Sequence, residues 1–189
     1  EDISNHYPIS DIYHKTVMTF GIAESALSKM LDEWEDALPS DMHLAYLPDA
    51  LTGVRLRLSI YGGAKEEQES RIESEMVRLK GILGDAIYSD QDDRLEKCIG
   101  RMLAENGKTV SAAESCTGGL ISSLFTSVPG SSEYYLGSVT SYANSVKTGV
   151  LGVPAEIIEK YGAVSEECVR EMAEGVRRIT GSDFSVATS

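Results

Sequence analysis

The sequence predicts a small α+β domain followed by an α/β layered domain, and three observations carry that reading. Up to residue 88, strand-like apolar alternation flanks two helical stretches with apolar faces. From Arg94 onward, short apolar strands alternate regularly with helical segments, the rhythm of helices layered on a sheet. The charge changes at the same place. Residues 1–93 carry 19 acidic and 8 basic residues, a net −11, whereas residues 94–189 carry 11 and 9, a net −2. The domains are accordingly placed at residues 1–89 and 90–189, with Ser89-Asp90-Gln91-Asp92-Asp93 as the linker or the cap of the next helix.

Ile12 to Phe20 is rich in β-branched and aromatic residues and reads as a strand. Ile22, Ala26, Met30, Trp34 and Leu38 recur every four positions, a helix stopped by Pro39. His43 to Leu47 is a second strand. Val54, Leu56, Leu58 and Ile60 alternate with Arg55, Arg57, Ser59 and Tyr61, a half-buried strand. Lys65 to Leu83 is a Glu-rich helix with Ile72, Met76, Leu79 and Leu83 on one face, and Ala86-Ile87-Tyr88 is a short closing strand.

In the second half, a helix carrying Leu95, Ile99, Met102 and Leu103 ends at Asn106-Gly107, a C-cap signal. A strand at 109–113 leads into a turn of small residues and a helix from Gly118 to Val128. Gly137 to Ala143 reads as a strand, Asn144 to Leu151 as a helix or turn, and Pro154 opens a short helix over Glu156 to Lys160. Ser165 caps a helix with Glu166 and Glu167 in its first turn and Val169, Met172, Val176 and Ile179 along one face. Asp183 to Thr188 reads as a buried strand, and because a buried strand is a poor terminus, the chain is expected to be a truncated piece.

A length of 189 residues suffices for a real core, and 42% hydrophobic with 25% charged residues is ordinary for a globular protein. No apolar run approaches the roughly 20 residues that span a bilayer. Glu1-Asp2-Ile3-Ser4-Asn5 lacks the pattern of a signal peptide. Cys98, Cys116 and Cys168 are an odd set without a C-x-x-C pair, which argues against a disulfide framework or a zinc site and fits a reducing cytoplasm. A net charge of −13 opposes general nucleic-acid binding, which needs clustered Lys and Arg. Gly81-Ile82-Leu83-Gly84 matches a G-x-x-G string, but its apolar middle and acidic surroundings read as a helix end rather than an RNA clamp.

The chemistry concentrates in Ala112-Ala113-Glu114-Ser115-Cys116-Thr117-Gly118-Gly119, between a strand and a helix. Backbone N–H groups open at a helix N-terminus can hold an anion, and Ser115 is presented as a nucleophile on a strand-to-helix elbow. The bland alternative is a turn built of capping residues. His6, His14 and His43 all lie in the first half, so a Ser-His-Asp or Cys-His arrangement cannot form within the second. The base must then be Lys, Tyr or a carboxylate. Lys147, desolvated, can serve with Tyr142 relaying or orienting a proton; otherwise Tyr142 packs at a strand end and Lys147 sits in solvent. Cys116 is a rival nucleophile or a small buried residue. Glu114 either orients Lys147 or substrate hydroxyls or caps the turn, and Ser131 and Ser132 bind polar groups or merely turn the chain.

The combination of ESCTGG (114–119), PGSS (129–132), Tyr142-x-Asn144-x-x-Lys147 and GAVSE (162–166) resembles the nicotinamide-nucleotide amidase (NMN deamidase) domain, the C-terminal half of the competence/damage-inducible protein CinA family, from Arg94 to Ser189. HKTVMTFGIAES and the strands up to Ile87 resemble that family's KH-like middle domain. The resemblance implies a KH-like α+β domain and a three-layer α/β amidase domain incomplete at its C-terminus, lacking the family's molybdopterin-binding-like N-terminal domain and a following Gly-Ile-Ala-Gly-Pro loop with its substrate-binding arginine. It implies hydrolysis of nicotinamide mononucleotide to nicotinic acid mononucleotide and ammonia, in the cytoplasm, by a homodimer, without metal or other cofactor. Ser115 falls on the family's catalytic serine as nucleophile, Lys147 on its lysine as base and Tyr142 on its tyrosine. Cys116, Thr117, Gly118 and Gly119 would supply oxyanion or substrate contacts, with Asn144, Ser165 and Ser189 as further binding residues. The truncation would leave the site incomplete. A catalytically silent regulatory or interaction module is the alternative, and an RNA-binding role by KH analogy ranks behind it.

Overall fold

A computed structural model describes residues 12–49 and 53–189, so His6 lies outside the described residues. The chain divides into two compact units, residues 1–95 and 96–189.

The first unit runs β1 (Ile12–Thr19), α1 (Glu24–Asp36), β2 (Met42–Asp49), β3 (Gly53–Tyr61), α2 (Lys65–Leu83) and β4 (Ile87–Ser89). Its strands form one antiparallel sheet in the order β2-β3-β1-β4, the split β-α-β-β-α-β arrangement. β3 alternates as expected: Val54, Leu56, Leu58 and Ile60 are buried against both helices. Pro48 is tolerated because β2 is a sheet edge, where a missing N–H interrupts no ladder. The face of α1 differs from the sequence reading. Leu27, Leu31 and Trp34 are buried, while Ala26 and Met30 are exposed, because the stripe of larger side chains at i, i+4 and i+7 wins the core. Gly81 and Leu83 lie in the last turn of α2, and Gly84 ends it with φ +50°, so the G-x-x-G string is a helix end.

The second unit runs α3 (Leu95–Glu105), β5 (Val110–Glu114), α4 (Leu120–Thr126), β6 (Tyr135–Thr140), α5 (Asn144–Gly149), α6 (Ala155–Tyr161), α7 (Glu166–Thr180) and β7 (Phe184–Thr188). β6, β5 and β7 form a parallel sheet in that order. β5 is buried along its whole length and separates two cores. Val110 and Ala112 pack with Leu103, Phe125, Tyr134 and Tyr135; Ala113 packs with Leu151, Cys168, Met172 and Val176. This is a three-layer α/β unit. β6 begins two residues earlier than its glycine indicated. β7 is not the buried strand expected: Phe184 is 54% and Val186 37% exposed, because β7 has a described neighbour on one side only. Ile179 likewise leaves the face of α7 and is exposed.

α7 approaches the chain after α5 closely through Gly175, where an added Cβ would lie 2.2 Å from the Leu151 carbonyl oxygen. Gly175→Ala must therefore push backbone against backbone. The expected cost is about 1–3 kcal/mol, read as a lowered thermal midpoint by circular dichroism.

Candidate active site

The chains leaving the carboxyl ends of β5 and β6 turn to opposite faces of the sheet, the topological arrangement at which parallel α/β sheets hold ligands. The chain leaving β5 turns to α4, on the side of the first core. The chain leaving β6 turns to α5, whose Lys147 sits among residues of the second. The glycine pair makes the first turn sharp: Gly118 and Gly119 have φ of +61° and +107°, left-handed backbone that other residues resist.

Alternation along β5 aims Glu114 at the start of α4 and Ser115 at the other face. Glu114 has no exposed surface, and its carboxylate accepts from Thr117 Oγ1 at 2.8 Å and from the N–H groups of Gly119 (3.1 Å), Ile121 (2.9 Å) and Ser122 (2.8 Å), with Ser122 Oγ as a fifth donor. Burial pushes this carboxyl up, but the hydrogen bonds from Ser122, Ile121 and Thr117 outweigh it and hold the group below its ordinary value. The expectation of a foreign anion on these N–H groups is thereby corrected: the chain's own carboxylate caps the helix.

That cap also redistributes the proposed oxyanion donors. Gly119 N–H serves Glu114 and Gly118 N–H serves the Ser115 carbonyl at 3.1 Å, whereas the N–H groups of Cys116 and Thr117 have no acceptor among the described residues. The Thr117 hydroxyl is taken by Glu114 and by Thr188 Oγ1 at 2.7 Å. Cys116 itself is exposed, and Cys98 and Cys168 are buried thiols. Burial pushes the Cys168 thiol up, against the lowering influence of Lys147.

Ser115 is 8% exposed. Its N–H extends the β5–β7 ladder to Thr188 O at 2.9 Å, and its hydroxyl makes no hydrogen bond among the described residues. Lys147 is 1% exposed, which settles the choice between solvent and burial, yet its ammonium does not bond Ser115. Nζ donates to Ser189 Oγ at 2.8 Å and reaches Met172 Sδ at 3.4 Å, while Ser189 Oγ donates to Ala163 O at 2.5 Å. Tyr142 is 79% exposed and its hydroxyl has no hydrogen bond among the described residues, so the three expected catalytic side chains are not linked to one another.

Of the other expected contacts, Ser165 caps α7: its Oγ accepts from Cys168 N at 3.2 Å and donates to Gly162 O at 2.9 Å, leaving no donor for a ligand. Asn144 is exposed at the start of α5. Cys116, Val164, Val169, Thr188 and Ser189 line an open depression of about 510 Å³ beside the Ser115 turn. Ser141 escaped the sequence reading. It is fully buried, its N–H bonds Glu114 O at 2.7 Å, and its hydroxyl is unpartnered; β6 ends at Thr140, three residues before the end expected from the sequence, so Ser141 lies just past the strand instead of inside it. Among the described residues no group of three or more His, Cys, Asp or Glu is placed to hold a metal ion, and no helix is long and apolar enough to cross a membrane.

The family model for the CinA C-terminal domain matches residues 92–189, and that for the damage-inducible protein CinA KH domain matches residues 14–89. The CinA-like protein of Cytophaga hutchinsonii is 40% identical over 189 residues, 100% of this chain and 45% of that protein. The CinA-like protein of Flavobacterium psychrophilum is 42% identical over 179 residues, 94% of this chain and 43% of that protein. The chain thus spans about half the length of the curated relatives it matches. The crystal structure of the competence damage-inducible protein A from Klebsiella pneumoniae is similar with a TM-score of 0.50 and 34% identity, covering 50% of this chain and 59% of that one.

Proposed function

The chain belongs to the CinA family, and from that premise we propose that its second unit is an amidohydrolase acting on the carboxamide of a pyridine nucleotide, nicotinamide mononucleotide first. The observation that carries this reading is the Ser115 elbow: a hydroxyl free of internal hydrogen bonds, flanked by the two unengaged N–H groups of Cys116 and Thr117. Ser115 Oγ attacks the carboxamide carbon, the two N–H groups stabilise the oxyanion, and collapse of the tetrahedral intermediate breaks the C–N bond and releases ammonia. Water then hydrolyses the acyl-enzyme to the carboxylate. Lys147 is the base, because it is the buried amine on the Ser115 face of the sheet. Tyr142, exposed at the rim, relays or orients a proton once substrate is bound. The homodimeric, cytoplasmic protein expected from the resemblance fits this reading.

Ammonia release from nicotinamide mononucleotide by the intact protein is the test. Ser115→Ala is expected to lower turnover by about 10³-fold or more. Normal turnover in that variant would transfer the nucleophile's role, first to Cys116. Absence of turnover in the unaltered protein would favour a catalytically silent interaction module.

A further inference from the structure

We propose that the hydroxyl of Ser189 is the proton bridge between Lys147 and Ser115, so that the site works as a Ser115–Ser189–Lys147 relay rather than a two-residue pair. The proposal rests on Ser115 being the nucleophile, but not on which amide is cleaved.

Two independent features of the structure connect Ser189 to Lys147 and to Ser115. The first is the direct contact already described: the Lys147 ammonium donates to Ser189 Oγ at 2.8 Å and makes no hydrogen bond to Ser115. Its remaining contact, the Met172 thioether, cannot carry a proton relay. The second is the register of the parallel sheet. Glu114 pairs with Thr188, and the bond from Ser115 N–H to Thr188 O continues that ladder. Ser115 and Ser189 are therefore the next residues on neighbouring strands, which run about 4.8 Å apart. Alternation turns both to the side of Ala113 and Ala187, the side of the second core and of Lys147. A serine side chain from each strand can reach across that separation, and Ser189 is the one that holds the lysine contact.

In the present bonds Nζ donates to Ser189, and Ser189 passes its own hydrogen to Ala163 O. With Lys147 neutral, the Ser189 hydrogen turns from the carbonyl to Nζ, and its oxygen becomes free to accept from Ser115. On attack, the Ser115 proton moves to Ser189 Oγ as the Ser189 proton moves to Nζ, giving an ammonium, a neutral Ser189 and a new Ser115 Oγ–carbon bond. The same path in reverse delivers the proton to the departing nitrogen, and it serves again when water attacks the acyl-enzyme. Ala163, from the GAVSE segment, holds the bridging hydroxyl between turns of the cycle.

Two measurements on the intact protein test the relay. Reaction with a fluorophosphonate, read by intact mass with the site of addition mapped, reports Ser115 nucleophilicity without any assumption about substrate. Ser189→Ala and Lys147→Ala should each slow labelling of Ser115 by about 10²-fold or more, while Ser189→Thr, which keeps the hydroxyl, should stay within about tenfold. With nicotinamide mononucleotide, Ser189→Ala should lower kcat by a similar factor at nearly constant KM, and the solvent proton inventory should change from curved, with two protons in flight, to linear. No Ser115 labelling in the unaltered protein, or unchanged labelling in Ser189→Ala, overturns the relay. Labelling that follows the expected pattern without turnover of nicotinamide mononucleotide supports the relay and rejects only the proposed substrate.

Discussion

Glu114→Ala is expected to unfold the second unit or leave it barely stable. The carboxylate is fully buried and gathers five donors, three of them the N–H groups at the start of α4. Removing it leaves those N–H groups without their acceptor. Hydrogen bonds to a charged group contribute about 1.5–3 kcal/mol each and do not add fully, so a loss of about 4 kcal/mol or more is expected, against the 5–15 kcal/mol of a typical domain. Glu114→Gln keeps the shape but turns an amide N–H₂ toward N–H donors, for an expected loss of about 2–3 kcal/mol. Urea unfolding followed by far-ultraviolet circular dichroism measures both, while emission from Trp34, the single tryptophan, reports the first unit. The pH dependence follows from the lowered carboxyl. Its stabilisation is fully present above the ordinary glutamate value of about 4.3 and is lost as pH falls through the lower folded value. The unaltered protein should then lose stability more steeply than Glu114→Gln on acidification below about pH 4. Parallel acid curves would mean that Glu114 is not held ionised.

Much of this fold is legible in the sequence because one face of each element is dry. β3 alternates cleanly since its sheet carries helices on one side only, and the Ser165 cap announces α7 through local hydrogen bonding alone. The errors have tertiary causes. A four-residue spacing on α1 drew attention to Met30, but the packing partner chose Leu27 and Leu31. β7 reads as apolar whether or not a neighbour covers it. The site divides in the same way. The Ser115 turn is visible as a run of small residues between a strand and a helix. The role of Glu114 was ambiguous because the next residue along the strand faces the opposite core. The Lys147–Ser189 bond joins residues 42 apart. Only the packing of α5 against the second core brings them together, so no local pattern could reveal it. Ser141 is hidden from local pattern too.

Lys147→Met should make the protein more stable and nearly inactive. The lysine is 1% exposed, and the partners of its Nζ are a serine hydroxyl and a thioether, both neutral. Among the described residues no carboxylate forms an ion pair with it. Burying an amine with so few partners is costly, and a methionine of similar length fills the same space beside Met172 and Cys168 without that cost. The gain is expected to be about 1 kcal/mol or more, because Ser189 keeps its bond to Ala163 O when the ammonium is gone. Turnover should fall by about 10³-fold, since the amine proposed as the final acceptor of the Ser115 proton is gone. Thermal melting and ammonia release on the same sample separate the two effects. A buried lysine kept only as a packing element would lose stability on replacement and leave any activity standing. A functional amine shows the reverse pattern, stability held below its attainable value by a group the chemistry requires. If Lys147→Met melts lower than the unaltered protein, the ammonium is a structural tie; if it melts higher and still releases ammonia, the base lies elsewhere.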